Sequence, residues 1–432
     1  LVGYNALRHC SLLAPRIRLK HGPPKCPCFC FTTPKVKDTA DRKKHLVYMG
    51  AAALACLQWA VLRAVGFHFE PPFGALLPGL AILGAAFLLS WTAEAAELDL
   101  PQGLSVSLLA LIAVLPEYAV DIYFAWTAGK DPAYISYATA NMTGSNRLLI
   151  GVGWAAVLFA YWARHGRKEI VLESGLSVEL VALGAATLYA FIPTYLGTLS
   201  LVDCAVFLLI FALYAWRTAQ AEVEEPELEG PALTIGSLPR TTRRVAVAVL
   251  FLFSALAIYL AAEPFAEGLL ASGKAWGIDE FFLVQWLAPL ASEAPEFIVA
   301  VLFALKGKGE VGLRVLVSSK VNQWTLLVGM LPAAFCLSGG SLTPMPLDSR
   351  QVHELLLTAA QSFFAITILI NLRFSLKEAA LLAVLFLTQP FFTSAHARNL
   401  YSAVYIAGGI AVLAFPGTRR HLRDAVATAL RL

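Results

Sequence analysis

The stretch from Pro289 to Gly329 reads PLASEAPEFIVAVLFALKGKGEVGLRVLVSSKVNQWTLLVG. Its first half predicts an apolar helix that Pro295 breaks, with Glu293 and Glu296 on either side of the break. Its second half predicts another apolar helix, whose polar side chains are Ser318, Ser319, Lys320, Asn322 and Gln323. Ionisable and amide side chains within such apolar helices indicate a polar site inside a membrane-spanning bundle.

A weaker copy of this pattern occurs earlier in the chain. LPEYAVD begins at Leu115, and ANMTGSNRLLIGVG ends at Gly153, so a Pro-Glu pair again precedes a cluster of small polar residues. The segments WTAEAAE (Trp91 to Glu97) and AAEPFAE (Ala261 to Glu267) extend the correspondence between the two halves. Two copies of one design are typical of secondary transporters, which hold their ion site where the copies meet.

Composition places the chain in the membrane. It is 58% hydrophobic and only 14% charged, whereas soluble domains carry roughly a quarter charged residues. The apolar runs are about 20 residues long, which suits helical spans and exceeds the length of barrel strands. We therefore expect an all-α integral membrane protein.

Twelve membrane spans are predicted. They are His45–Gly66, Phe73–Leu98, Leu104–Ala128, Ala133–Ala163, Leu176–Phe191, Thr198–Trp216, Val245–Ala262, Phe281–Leu305, Val311–Cys336, Val352–Leu372, Leu376–Phe392 and Leu400–Phe415. Five spans in each half would give the two halves opposite orientations in the membrane, because the number per repeat is odd. One extra helix is expected at each end.

Lys and Arg are distributed unevenly over the predicted loops, which places both termini in the cytoplasm, with the plasma or bacterial inner membrane as the expected location. The predicted segments are 1–44 (basic and disordered), 45–66 (extra helix), 73–216 (first repeat), 217–244 (cytoplasmic linker), 245–392 (second repeat) and 393–432 (last helix and basic tail). The seven cysteines have no spacing that indicates a disulfide framework or a metal site.

Glu117 and Glu296 each follow a proline within a predicted span. Because proline cannot donate a backbone hydrogen bond, it leaves a carbonyl one turn back that can face a cation. A carboxylate beside a free carbonyl suits Na⁺ or Ca²⁺, which prefer oxygen ligands. The alternative is that each Glu forms an ion pair that only holds helices together.

The companion helices supply neutral oxygens. They carry Asn141, Thr143, Gly144, Ser145 and Asn146 in one half and Ser318, Ser319, Asn322 and Gln323 in the other. These residues suit ligands of a cation, and equally suit close packing between membrane helices.

LPE with GSN in one half, and APE with SSKVNQ in the other, resemble the α-repeats of the cation/calcium exchanger superfamily, from about Phe73 to Phe392. The resemblance implies ten core helices in two inverted halves and antiport of Ca²⁺ or another cation against Na⁺ or H⁺. It also implies that Glu117 and Glu296 are the central, metal-binding carboxylates. By the same motif, Ser145, Ser292 and Ser319 would supply hydroxyl ligands.

Some positions depart from the family pattern. An amide or carboxylate is common four residues after each motif serine; Leu149 lacks it, whereas Gln323 keeps it, so one ligand is missing. Glu293 replaces a serine, and Arg147 and Lys320 replace uncharged residues. One hypothesis is that Arg147 and Lys320 pair with Glu117, Glu293 or Glu296 and compete with the carried ion; the alternative is that both extend to the membrane surface. Asp121 lies one turn after Glu117 and is expected to face the same cavity.

We therefore predict a secondary active cation antiporter that works by alternating access at a midplane carboxylate site. Both Na⁺/H⁺ exchange and exchange of Ca²⁺ against H⁺ or Na⁺ remain open. The expected partners are the lipid bilayer, inorganic cations and protons, without nucleic acid and without a cofactor beyond the transported ion. An intramembrane enzyme is disfavoured because no H-E-x-x-H motif is present. A non-transporting scaffold or receptor, with its site closed by Arg147 and Lys320, is the other alternative.

Overall fold

The computed structural model describes residues 39–67, 69–99, 114–220, 228 and 230–431. The helices before the middle of the chain are α1 (Thr39–Val65), α2 (Phe73–Ala96), α3 (Leu115–Ala128), α4 (Ile135–Leu148), α5 (Ala155–His165), α6 (Ser177–Leu196) and α7 (Leu201–Thr218). Those that follow are α8 (Pro231–Gly236), α9 (Arg240–Trp276), α10 (Glu280–Leu305), α11 (Gly309–Asn322), α12 (Val328–Gly339), α13 (Ser349–Leu369), α14 (Leu376–Leu387), α15 (Ala395–Ala414) and α16 (Pro416–Arg431). Four short strands are β1 (Glu169–Val171), β2 (Thr198–Leu199), β3 (Met345–Pro346) and β4 (Arg373–Ser375).

Long apolar helices dominate the structure. Among the described residues, ten helical segments are long and apolar enough to cross a membrane. Two further predicted spans correspond to α3 and α14, which are shorter and are not among these ten segments. The beginning of the predicted span that contains α3, residues 104–113, lies outside the described residues. The prediction of an all-α membrane protein is confirmed.

The four strands form two small ribbons that reveal the relation between the halves. The spans of the first half are α2, α3, α4 with α5, α6 and α7; those of the second are α9, α10, α11 with α12, α13 and α14. β1, between the third and fourth spans of the first half, pairs with β4, between the fourth and fifth spans of the second. β2 and β3 pair in the reciprocal way. Since equivalent loops therefore lie on opposite sides of the bundle, the two repeats are inverted.

Several predicted boundaries are corrected. Residues 39–44, predicted to be disordered, are the first turns of α1, and residues 1–38 lie outside the described part. The predicted linker 217–244 contains α8 and the beginning of α9. The span predicted to end at Ala262 continues to Trp276, because Pro264 is accommodated within α9.

The basic tail that the sequence predicts after the last span is helical. It forms the amphipathic helix α16, which packs on α6 and buries Ala425 and Ala429. Arg419, Arg420 and Arg423 remain exposed on it.

The predicted break at Pro295 does not occur. α10 runs continuously from Glu280 to Leu305 with Pro289 and Pro295 inside it. The departures from regular geometry lie instead in the companion helices, where Leu149–Trp154 and Gln323–Leu327 form π-helical segments that join α4 to α5 and α11 to α12. Both segments begin four residues after a motif serine, Ser145 or Ser319, so the irregularity is itself duplicated.

The first spans of the two repeats, α2 and α9, pack against each other. Asp99, which follows α2, accepts hydrogen bonds from Arg243 at 2.6 Å and from Arg240 and Arg244 at 3.3 Å. Burial raises the pKa of Asp99, but the charges and hydrogen bonds of Arg243 and Arg244 outweigh burial and hold that pKa below its ordinary value. The ion pairs of Asp99 therefore hold the end of α2 against the beginning of α9 at neutral pH. They lose their stabilising effect only in strong acid, when Asp99 becomes protonated.

A close helix approach at Gly144 sets the position of the site. α4 and α10 pack tightly, and a Cβ atom at Gly144 would overlap the backbone carbonyl of Gln285. Only glycine leaves room for that backbone contact.

We predict that Gly144→Ala lowers the free energy of unfolding by about 1–3 kcal/mol, because the new methyl group must push two packed helices apart. The matched control is Gly184→Ala in α6, where a Cβ atom would meet nothing within 4 Å. Because alanine favours helix, the control should be neutral or up to about 1 kcal/mol more stable. Thermal unfolding of the purified protein in detergent measures both, and equal melting temperatures would contradict the prediction.

Candidate ion-binding site

Carboxylates from both repeats meet inside the bundle. Glu117 and Asp121 on α3 are only 2% and 1% exposed, and Glu293 on α10 is fully buried. Glu117 lies within electrostatic range of Glu293, Glu296 and Asp121. We call these four residues the acidic cluster. Like charges so close together in an apolar interior require protons or cations to neutralise them.

Several oxygens of the acidic cluster have no hydrogen-bond partner among the described residues. These are both carboxylate oxygens of Glu293 and one oxygen each of Glu117, Asp121 and Glu296. The remaining oxygen of Asp121 accepts a hydrogen bond from the Asn141 amide at 2.9 Å. Unbonded buried carboxylate oxygens are costly for the apoprotein and are suitable ligands for a hard cation.

The predicted neutral ligands divide into two groups. Gln323 is fully buried, and its side-chain amide lies beside the carboxylates of Glu117 and Glu293. The Ser319 hydroxyl lies beside the carboxylate of Glu296. Ser145 and Ser292 instead donate to carbonyls of their own helices, at 2.9 Å to Asn141 and 3.2 Å to Ala288.

Lys320 lies in the interior and does not extend to the membrane surface. Its side chain is fully buried, and its Nζ donates to the Asn146 carbonyl oxygen at 3.0 Å and to Asn146 Oδ1 at 2.6 Å. The same nitrogen lies 4.5 Å from the centroid of the Trp324 ring. Glu293 is within electrostatic range, although the direct contacts of Lys320 are with Asn146 and Trp324.

The hypothesis that Arg147 pairs with a member of the acidic cluster is wrong. Arg147 forms a 2.6 Å ion pair with Glu354 on α13, and both side chains are only 3% exposed. Glu354 also accepts a hydrogen bond from Arg398 on α15 at 2.6 Å and one from Gln285 at 3.0 Å. Arg147 additionally donates to Gln389 at 3.2 Å. Its charge is therefore satisfied away from the acidic cluster.

Sequence reasoning missed Glu354 and Gln285. Each is a polar residue within a predicted span, which is the signal that could have found it. Neither residue belongs to the duplicated motif, so comparison of the two halves does not identify them.

No group of three His, Cys, Asp or Glu side chains within the described ranges is arranged to hold a metal ion. A cation at the acidic cluster would therefore need the neutral oxygens as well, with Gln323 and Ser319 the nearest. This donor set, composed only of oxygens, suits Na⁺ or Ca²⁺ and does not resemble the nitrogen and sulfur ligands of zinc.

Inverted repeats of membrane helices with buried carboxylates between them define a secondary cation transporter. A model of the family described as "Sodium/calcium exchanger protein" matches residues 72–219 and 246–394, and each matched range contains one set of five spans. The chain belongs to this family, which confirms the resemblance found in the sequence. It is a multi-pass membrane cation exchanger.

Solved structures agree with this assignment. The structure of "H+/Ca2+ Exchanger CAX" is 44% identical, with a TM-score of 0.87 over 91% of this chain and 98% of that chain. The structure of native YfkE is 14% identical, with a TM-score of 0.56 over 84% of this chain and 99% of that one. The sodium-calcium exchanger NCX_Mj is 16% identical, with a TM-score of 0.50 over 74% and 97%. The last two show a shared fold only. A search of curated protein sequences gives no match.

We predict that Glu354→Gln lowers the free energy of unfolding by about 3–5 kcal/mol, because it leaves the buried guanidinium of Arg147 without a counter-charge. The control is Glu169→Gln, which removes an exposed 3.5 Å pair with Arg373. That change should cost at most about 1 kcal/mol. Thermal unfolding in detergent distinguishes the two variants, and equal losses would contradict the assignment of Glu354 as the partner of Arg147.

Proposed function

We propose that the chain exchanges Ca²⁺ against H⁺ across its membrane by alternating access at the acidic cluster. The observation that carries the proposal is the burial of Glu293 within electrostatic range of Glu117, an equally buried carboxylate from the other repeat. The 44% identical protein whose title names an H⁺/Ca²⁺ exchanger supports this choice of ions.

Coupling follows from the electrostatics of the acidic cluster. Several carboxylates cannot all stay ionised in an apolar interior, so without Ca²⁺ they hold protons. Ca²⁺ requires ionised oxygen ligands and therefore displaces those protons. Because Ca²⁺ and protons compete for the same carboxylate oxygens, one must leave before the other binds.

Each residue has a role in this proposal. Glu117, Glu293 and Glu296 bind Ca²⁺ and protons in turn, while Asn141 orients the carboxylate of Asp121. Gln323 and Ser319 contribute neutral oxygens beside the carboxylates. Ser145 and Ser292 would join as ligands through the lone pairs of their hydroxyl oxygens, while their hydroxyl protons stay on the carbonyls of their own helices.

Alternating access requires the same residues to face each side of the membrane in turn. The inverted repeats supply this symmetry, because each half can adopt the arrangement that the other has. The acidic cluster, built from both halves, would stay near the midplane as the surrounding helices exchange arrangements.

Sidedness is also part of the proposal. Both termini and the exposed arginines of α16 lie on the cytoplasmic side, in the plasma or bacterial inner membrane. The β1–β4 ribbon and the contact between Asp99 and Arg243 join loops that this topology places together on that side.

Proteoliposomes with a pH-sensitive dye inside test the proposal. Addition of Ca²⁺ should move protons for the native protein, and transport should fall at least tenfold for Glu117→Gln, Glu293→Gln and Glu296→Gln, since each loses one charged ligand. Glu173→Gln, at an exposed position outside the spans, is the matched control and should transport normally.

Other outcomes discriminate the alternatives. A dye response to Na⁺ but not to Ca²⁺ would indicate Na⁺/H⁺ exchange at the same residues. Ca²⁺ uptake driven by Na⁺ and independent of pH would indicate Na⁺/Ca²⁺ exchange. No movement of any cation would favour a scaffold with a closed site, although the pairing of Arg147 with Glu354 counts against that role for Arg147.

A further inference from the structure

Positions 146 and 320 are equivalent in the two repeats. Ser145 and Ser319 are the matching serines of the duplicated motif, so the residues that follow them, Asn146 and Lys320, correspond. The structure brings these two side chains into direct contact, with Lys320 Nζ 2.6 Å from Asn146 Oδ1. A contact between equivalent residues of inverted repeats lies on the axis that relates the two halves.

The surroundings of Lys320 Nζ suit an ammonium ion. Both atoms that it contacts on Asn146 are oxygens that accept hydrogen bonds, and the face of Trp324 favours a cation. The side chain is completely buried among protein groups. Glu293 supplies the negative charge within range.

Lys320 is also the fixed positive charge that remains available to the acidic cluster in the described structure. Arg147, the neighbouring cation, is within 2.6 Å of Glu354, which Arg398 shares. The charges of that group are balanced among themselves on α4, α13 and α15. Near the acidic cluster, the ammonium of Lys320 is therefore the fixed positive charge in the described structure that faces its four carboxyl groups, those of Glu117, Asp121, Glu293 and Glu296.

We propose that Lys320 is a specificity-determining residue whose ammonium acts as a built-in cation at the axis of the two repeats. It takes the place of one monovalent ion and limits the positive charge that the acidic cluster accepts. It therefore weakens the binding of divalent ions more than the binding of monovalent ions. This inference rests on the proposed function, because it concerns the ions bound at the same cluster.

The expected size of the effect follows from ionic charge. The energy between a fixed charge and a bound ion is proportional to the charge of that ion. Removing the ammonium should therefore change the logarithm of the Ca²⁺ dissociation constant twice as much as that of Na⁺. We expect about a tenfold tightening for Ca²⁺ and about a threefold tightening for Na⁺.

The first experiment compares Lys320→Gln with the native protein by calorimetric titration of Ca²⁺ in detergent, and of Na⁺ by competition with Ca²⁺. Lys274→Gln, at an exposed lysine near the end of α9, is the matched control and should bind like the native protein. Unchanged or weaker Ca²⁺ binding by Lys320→Gln would overturn the inference. Equal factors for Ca²⁺ and Na⁺ would do the same, since altered packing does not depend on ionic charge.

The second experiment moves the positive charge from position 320 to position 146, its equivalent in the other repeat. The double variant Asn146→Lys/Lys320→Asn keeps the two contacting side chains and the net charge, so its Ca²⁺ dissociation constant should stay within about threefold of the native value. A tenfold or larger change would overturn the inference. If Lys320→Gln does not give folded protein, as judged by size-exclusion chromatography, this variant decides the question.

Failure of the inference and failure of the proposed function can be told apart. Binding is measured without transport, whereas the dye assay measures transport alone. Native protein that binds Ca²⁺ but moves no protons would refute exchange of Ca²⁺ against H⁺ while leaving the comparison at Lys320 valid. Normal antiport with no tightening in Lys320→Gln would refute the inference alone.

Discussion

The structure depends on how charge is balanced where water is absent. A buried ion in an apolar interior costs several kcal/mol unless an opposite charge or a set of hydrogen bonds compensates it. Glu354 meets this requirement with two arginines, each at 2.6 Å. The acidic cluster has four carboxylates, and one oxygen each of Glu117, Asp121 and Glu296 has no hydrogen-bond partner within the described residues. The two regions lie in one bundle, and this contrast is the reason for proposing that the acidic cluster binds mobile cations or protons.

Much of this could be predicted from sequence because the information is local and repeated. The Pro-Glu pairs and the polar clusters that follow them are short motifs at matching places in two halves, and the odd number of spans predicts their inversion. The carboxylates on α3 and α10 could therefore be named. The helix around Pro295 was predicted wrongly, because packing on both sides of α10 keeps the helix continuous where the local preference favours a break.

The partners of charges could not be predicted in the same way. Arg147 lies beside the duplicated motif in sequence, and that position suggested the nearest glutamates of the motif. Its actual partner, Glu354, is far along the chain on α13, and only the packing of α4 against α13 brings them together. Sequence shows that a buried cation needs a counter-charge, but tertiary structure decides which of several acids supplies it.

The two π-helical segments have a consequence for the history of these helices. A π turn accommodates one residue more than an α turn, and one residue corresponds to about 100° of rotation about the helix axis. Side chains beyond Trp154 and Leu327 are therefore rotated relative to those before Leu149 and Gln323. A one-residue insertion in an ancestral helix, before the gene duplicated, would account for both segments at equivalent positions. In such a lineage the extra residue is inherited with the motif, so relatives that share the duplicated ancestor should carry a π-helical segment at both places.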